Sequence, residues 1–177
     1  MRIVAGTHRG RIVTPPPGFK ARPTTDFAKE NLFNSLSNLF DWEEVSFLDL
    51  FSGTGSLSYE AASRGAHRVL SVEGNALHQR FIVSTIKSLG FKTITSIRSN
   101  VFTFLKSSFA ESFDVIFADP PYDMEALDTV PDLVLEKGIL SEGGTLIFEH
   151  SSEFDFSAHP RFVSMKKYGS VHFSLFE

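Results

Sequence analysis

The hydrophobic positions change period along the chain, and the change divides it into elements. From Val45 onward, runs that are apolar almost throughout alternate with amphipathic stretches. VSFLDLF is followed by LSYEAASRG at helical spacing, RVLSVEG by NALHQRFIVSTIKSLG, TITSIRS by VFTFLKSSF, and FDVIFAD by MEALDTVPDLVLEKG, before GTLIFEH closes the series. Continuous apolar runs of strand length belong to strands covered on both faces, and helices between them carry the chain back for parallel pairing. The pattern predicts an α/β, doubly wound, Rossmann-like sheet, mostly parallel. The tail RFVSMKKYGSVHFSLFE has two strand-like runs with no helix between them, which predicts an antiparallel hairpin turning near Gly169.

Upstream, Ala28, Leu32, Leu36 and Leu39 or Phe40 recur at helical spacing behind Thr25 as N-cap and Asp26 in the first turn, predicting a helix from Asp26 to Phe40 that DWEE closes. Two short β-rich runs, Arg2 to Ala5 and Arg11 to Thr14, flank a turn-rich stretch with Gly6 and Gly10 and predict an N-terminal β-hairpin. Pro15 to Gly18 end its pairing. At 177 residues the expectation is one domain over 1–177: hairpin and arm 1–25, helix 26–42, core 43–177.

Charge sharpens the picture at one end. Net charge is -4, yet the five basic residues before Asp26 (Arg2, Arg9, Arg11, Lys20, Arg22) stand with no acid among them, leaving 12 basic and 21 acidic residues, or -9, for the rest. Such a segment is either a solvated tail or an arm that engages phosphates; in the second case Arg2, His8, Arg9, Arg11 and Lys20 are the candidate phosphate contacts. With no cysteine there are no disulfides and no thiolate chemistry. The opening MRIVAGTHRG lacks the apolar core of a signal peptide and no run reaches bilayer-spanning length, so a soluble cytoplasmic protein is expected. The histidines (His8, His67, His78, His150, His159, His172) show no paired ligand spacing, and no metal is expected.

Chemistry concentrates at the strand ends. DLFSGTGSLS places Gly53 and Gly55 where a strand hands over to a helix, allowing positive φ and close approach of a ligand to the helix N-terminus. Phe51, Ser52, Gly53, Thr54 and Gly55 are therefore candidate cofactor contacts. The turn alone also fits a dinucleotide. Asp49 just before it disfavours a pyrophosphate and suits the ammonium of S-adenosyl-L-methionine, whereas Glu73, ending the next strand, suits the ribose hydroxyls of either ligand. Asn100 reads as an adenine contact, with Val101 beside it, or as the N-cap of the following helix; both roles fit.

ADPPYD follows the most apolar strand. Asp119 precedes a proline and is pushed to extended geometry, and neither Pro120 nor Pro121 has an N–H. The loop presents acceptors only, the Asp119 carboxylate and the Pro120 carbonyl, which suits the two hydrogens of a nucleobase amino group. Tyr122 offers a face for stacking. Asp119, Pro120, Pro121 and Tyr122 are the candidate catalytic residues, and Asp119 also borders the cofactor.

These residues resemble the class I S-adenosylmethionine-dependent amino-methyltransferases. RIVAGTHRGR, ARPTTDFAKENLFNSL, DLFSGTGSLSYEAASRGA and ADPPY, in that order, resemble more narrowly the RsmD family of bacterial 16S rRNA (guanine-N2)-methyltransferases over nearly the whole chain. The resemblance implies methyl transfer from S-adenosyl-L-methionine, leaving S-adenosyl-L-homocysteine, to N2 of a guanine in 16S rRNA of an assembled or assembling 30S subunit by a monomer. It also implies that Arg22, Thr24 and Thr25 close over the cofactor. The chain departs from the family's usual glycine at Ser58. The competing expectations are a DNA adenine-N6 or cytosine-N4 methyltransferase, an NAD-dependent oxidoreductase, and a catalytically silent RNA-binding protein.

Overall fold

The computed structural model describes residues 1–19, 24–107 and 111–177. The expectations for Lys20 and Arg22 lie outside the described residues.

Seven strands form one sheet: β1 (Ser46–Leu50), β2 (Arg68–Glu73), β3 (Ile94–Arg98), β4 (Phe113–Ala118), β5 (Leu140–His150), β6 (Phe162–Tyr168) and β7 (Val171–Phe176). Their spatial order is β3-β2-β1-β4-β5-β7-β6. The first five pair in parallel. β7 runs antiparallel between β5 and β6, and the β6–β7 hairpin turns at Gly169, with φ 64°, as its position predicts. The sheet order reverses between β1 and β4, opening a crevice at the carboxyl ends of these strands.

Helices cover both faces, so the strands read as unbroken apolar runs. Phe47, Val69, Val115, Phe117 and Ile147 pack on α1 (Asp26–Leu36), α2 (Ser56–Arg64) and α3 (Ala76–Leu89). Leu48, Leu50, Ile116, Ala118, Leu146 and Phe148 pack on α4 (Val101–Lys106) and α5 (Val130–Glu136).

Three elements differ from the pattern-based expectation. First, α1 begins at the predicted cap, Thr25 accepting from the Ala28 N–H at 3.2 Å, but ends at Leu36 instead of Phe40. Ser37 Oγ donates to the Phe33 carbonyl and accepts from Trp42 Nε1, so the chain turns to bury Trp42 and leaves Leu39 exposed. Second, MEALDTVPDLVLEKG is not one helix. Pro131 lacks the N–H an interior helical position needs, so α5 starts at Val130 behind a short 3₁₀ turn, Leu127–Thr129. Third, the N-terminal hairpin is reduced to one bridge, Arg2 opposite Ile12. The N–H groups of Val4 and Ala5 donate to the buried Glu60 carboxylate of α2, at 2.7 and 3.1 Å, instead of to a partner strand.

That arm is docked, not solvated. The Thr7 N–H reaches the Ser63 carbonyl, Ser63 Oγ donates to the Ala5 carbonyl, and Ile3 and Val13 are buried in the core. Gly6, with φ 77°, lies so close to α2 that a Cβ there would overlap the Ser63 carbonyl oxygen. Lys29 is buried at 0 % exposure. Its ammonium donates to the Arg2 carbonyl at 2.6 Å and to Ser56 Oγ at 3.1 Å, with Asp26 and Glu60 carboxylates within 4 Å, so one side chain joins the arm, α1 and the start of α2. Among the described residues no helix is long and apolar enough to cross a membrane.

Candidate active site

A cleft of about 690 Å³ opens at the carboxyl ends of β1, β2, β4 and β5. Fourteen of the candidates read from the sequence line it: Thr24, Thr25, Asp49, Phe51, Ser52, Gly53, Thr54, Glu73, Asn100, Val101, Asp119, Pro120, Pro121 and Tyr122.

The turn after β1 is sharply shaped. Phe51 adopts φ 62°, a left-handed conformation rare outside glycine, and Gly53 and Gly55 follow with φ 54° and 78°. Ser52 fixes the turn, its N–H donating to the Val72 carbonyl and its hydroxyl to the Asp49 carbonyl. Gly55 starts α2 without a capping side chain, which leaves first-turn N–H groups for a ligand carboxylate.

Asp49 is 2 % exposed. Burial pushes its carboxyl up to about 7, against hydrogen bonds from Ser58 that favour the ionised form. Ser58 Oγ donates to Asp49 Oδ2 at 2.5 Å, so the residue that departs from the usual glycine supplies a donor to the buried acid. Glu73 is held by the Gly53 and Asn75 N–H groups, each at 2.7 Å and each on a different carboxylate oxygen. A carboxylate has about four acceptor sites, so two remain for a diol. Asn100 caps α4, its oxygen accepting from the Phe102 and Thr103 N–H groups; its amide nitrogen stays available to the cleft it lines.

Asp119 continues from β4, its N–H donating to the Leu50 carbonyl. Its carboxyl is pushed well above the usual range, first by enclosure and then by the neighbouring Glu149 and Asp49 carboxylates. Tyr122 is half exposed at 51 %, and its hydroxyl donates to Glu149 Oε1 at 3.3 Å.

Sequence reasoning missed Glu149. It is the penultimate residue of β5, 5 % exposed, lines the cleft, and also accepts from Thr24 Oγ1 at 3.2 Å. The signal available was its place at the end of the strand following ADPPYD, but a strand's neighbours are set by non-local pairing. His78 was missed too. It lines the cleft, stands 3.8 Å from Glu73, and stacks on Phe19 at 4.1 Å.

The arm residues lie apart from the cleft lining. Arg2, Arg9 and Arg11 are exposed, whereas His8 is half-buried against Phe91, its ring hydrogen-bonded to the Leu89 carbonyl. His8 is thus engaged in holding the arm to the body. Among the described residues the cleft is lined by five carboxylates (Asp49, Glu73, Asp119, Asp123, Glu149) and by no lysine or arginine. Such a field attracts a cationic ligand and repels a pyrophosphate. No cluster of His, Cys, Asp or Glu among the described residues is arranged to hold a metal ion.

Comparison with known proteins agrees with this architecture. The family model described as conserved hypothetical protein 95 matches residues 1–177. Ribosomal RNA small subunit methyltransferase D of Escherichia coli K12 is 28% identical over 180 residues, covering 100% of this chain and 89% of that protein. The protein of the same name from Haemophilus influenzae is 32% identical over 152 residues, covering 84% and 78%. The solved structure of a hypothetical protein from Thermus thermophilus superposes with a TM-score of 0.89 at 27% identity, covering 100% and 99%.

Proposed function

The chain belongs to the RsmD family, whose model carries the description conserved hypothetical protein 95, and on that premise we propose that it methylates the N2 amino group of a guanine in 16S rRNA, using S-adenosyl-L-methionine. The observation that carries the reading is the pairing of a donor-free loop, Asp119-Pro120, with a cationic-ligand site, Asp49 and Glu73, in one acidic cleft.

The residues fit the cofactor. A buried carboxylate poised near neutrality, Asp49, suits an ammonium, Glu73 suits the ribose diol, Asn100 and Val101 suit the adenine, and the uncapped start of α2 suits the amino-acid carboxylate. When bound, S-adenosyl-L-methionine supplies an electrophilic methyl group on a sulfonium. The nucleophile is poor because the lone pair of a guanine amino nitrogen is delocalised into the ring. Asp119 and the Pro120 carbonyl grip its two hydrogens and turn the lone pair toward the methyl, so the acceleration comes from positioning. After the N–C bond forms, the nitrogen must lose one proton, and Asp119, raised toward protonation by its surroundings, is placed to take it. Tyr122 stacks on the extruded base.

The acidic cleft cannot draw in a polyanion by itself, which assigns that task to the exposed Arg9 and Arg11 and to Arg2 and Lys20 of the same segment. Phe19 on His78 and Thr24 on Glu149 bring both flanks of residues 20–23 to the cleft, which supports a closing role for Arg22. The proposed setting is a cytoplasmic monomer acting on assembled or assembling 30S particles.

Incubation with radiolabelled S-adenosyl-L-methionine and small subunits, deproteinised 16S rRNA or duplex DNA tests the reading. N2-methylguanosine in the rRNA is expected, and Asp119→Ala should remove it while leaving RNA binding intact. Label in the DNA alone would transfer the assignment to a DNA amino-methyltransferase. Tight binding of NAD in a calorimetric titration would overturn the cofactor.

A further inference from the structure

We propose that Lys29 is a positioning residue for the cofactor: from behind the cleft wall its ammonium orients and polarises the Ser56 hydroxyl, which donates to the amino-acid carboxylate of S-adenosyl-L-methionine. The inference rests on the cofactor reading above and deepens it by naming the side chains that recognise the one anionic group of the ligand.

The cleft sets the problem. Among the described residues it is lined by five carboxylates and by no lysine or arginine, so a ligand carboxylate entering it is repelled by most of the lining. The start of α2 is where that repulsion can be offset. Gly55 gives the helix no side-chain cap, and Ser56, its first residue, lines the cleft at 5 % exposure. Lys29 reaches the same point from α1 through the interior. Its side chain is fully buried, and its ammonium donates to Ser56 Oγ at 3.1 Å and to the Arg2 carbonyl at 2.6 Å.

The direction of the bond to Ser56 decides what the hydroxyl does. An ammonium has three donors and no acceptor, so Ser56 can only accept from Lys29 and must turn its own hydrogen elsewhere. Among the described residues that hydrogen has no acceptor, and the residue borders the cleft. A hydroxyl that accepts from a cation is a stronger donor to an anion, because each bond in a chain polarises the next. Burial pulls the Lys29 ammonium below its ordinary value, while the Glu60 and Asp26 carboxylates, 3.8 and 3.6 Å away, favour the charged form. A lysine needed only to join the arm to α1 would be served by the Arg2 carbonyl and those two acids. The bond to Ser56 is the one that reaches the cleft wall.

The test compares S-adenosyl-L-homocysteine with its decarboxylated analogue, which keeps the adenosine, the thioether and the ammonium and lacks the carboxylate. In calorimetric titration the wild-type chain should bind the first more tightly by roughly 10- to 100-fold, the worth of hydrogen bonds to a charged group. Ser56→Ala should shrink that ratio by about tenfold through weaker S-adenosyl-L-homocysteine binding, with affinity for the analogue and thermal unfolding retained. Lys29→Met should shrink it as well, and should add little in the Ser56→Ala background, because the two side chains act in series. Since Lys29→Met also removes the bond to the Arg2 carbonyl, the lysine is followed in the wild-type chain too. With isotope-labelled lysine, the Lys29 ammonium resonance should shift when S-adenosyl-L-homocysteine binds and move far less with the analogue. A ratio near unity in the wild-type chain, a ratio unchanged by Ser56→Ala, fully additive effects of the two substitutions, or a resonance that moves equally with both ligands would overturn the relay and leave the cofactor reading standing. If neither ligand binds the wild-type chain, the cofactor reading falls and this assignment falls with it.

Discussion

A carboxyl raised from 3.8 to about 7 by burial gives Asp49 a visible pH signature. Between those values the folded chain holds a proton that the unfolded chain has released, so this group's contribution to stability declines as pH rises through that interval. Binding an ammonium requires the ionised form, and the sign for the ligand is therefore opposite. Affinity for S-adenosyl-L-homocysteine should rise by about tenfold between pH 6 and pH 8, with proton release at the lower pH seen by calorimetry in buffers of different ionisation enthalpy. Asp49→Asn should flatten the profile. Ser58→Ala removes the 2.5 Å donor, pushes Asp49 higher, and should weaken binding severalfold at pH 7 while the two proteins converge near pH 9. The sequence marks Ser58 only as a departure from a common glycine. Its purpose depends on a residue nine positions earlier on another element, a distance that local pattern does not encode. Asn100 shows the complementary case: its capping role was readable because a cap is a local contact, and the same contact leaves its amide nitrogen uncommitted.

The elements themselves were readable because each strand–helix unit of the core carries its own period and its own punctuation. Where a boundary moved, a tertiary contact or a backbone constraint intervened. Trp42 takes the Ser37 hydroxyl and ends α1 early, and Pro131 divides a run that hydropathy alone joins. The basic arm is the element whose character changed most. Charge left it open between tail and arm, and the deciding features are the buried Glu60 and Ser63, on a helix more than fifty residues away. Gly6 is the sharpest test of that docking, because a side chain there is excluded both by the Ser63 carbonyl and by φ 77°. Gly6→Ala should release residues 1–13 into rapid backbone hydrogen exchange, leave the exchange of β1 and β4 unaltered, and lower methylation of RNA far more than cofactor affinity.

At the scale of the whole molecule, charge is partitioned between an acidic cleft and a basic arm, joined through the buried Lys29, whose ammonium touches the Arg2 carbonyl and the cleft-lining Ser56. On the proposed reading, capture of RNA and recognition of a base fall to different regions. Replacing Arg9 and Arg11 together should weaken RNA binding and reduce its salt slope by roughly 0.7–0.9 log units for each phosphate no longer neutralised, without altering guanine preference. The order of the motifs along the chain gave Asp49, Phe51, Ser52, Gly53, Thr54, Glu73, Asn100 and Val101 as residues of one cleft, since they follow successive strands. Glu149 was hidden because the β4–β5 register that brings it beside Asp119 is not local. The place of β7 in the sheet adds a constraint on biosynthesis. Until Val171–Phe176 has left the exit tunnel, β5 is an unprotected edge and Glu149 has no strand on its far side. A chain truncated after Gly169 should therefore be protease-sensitive through β5 and inactive, and the chain that keeps the following strand resistant.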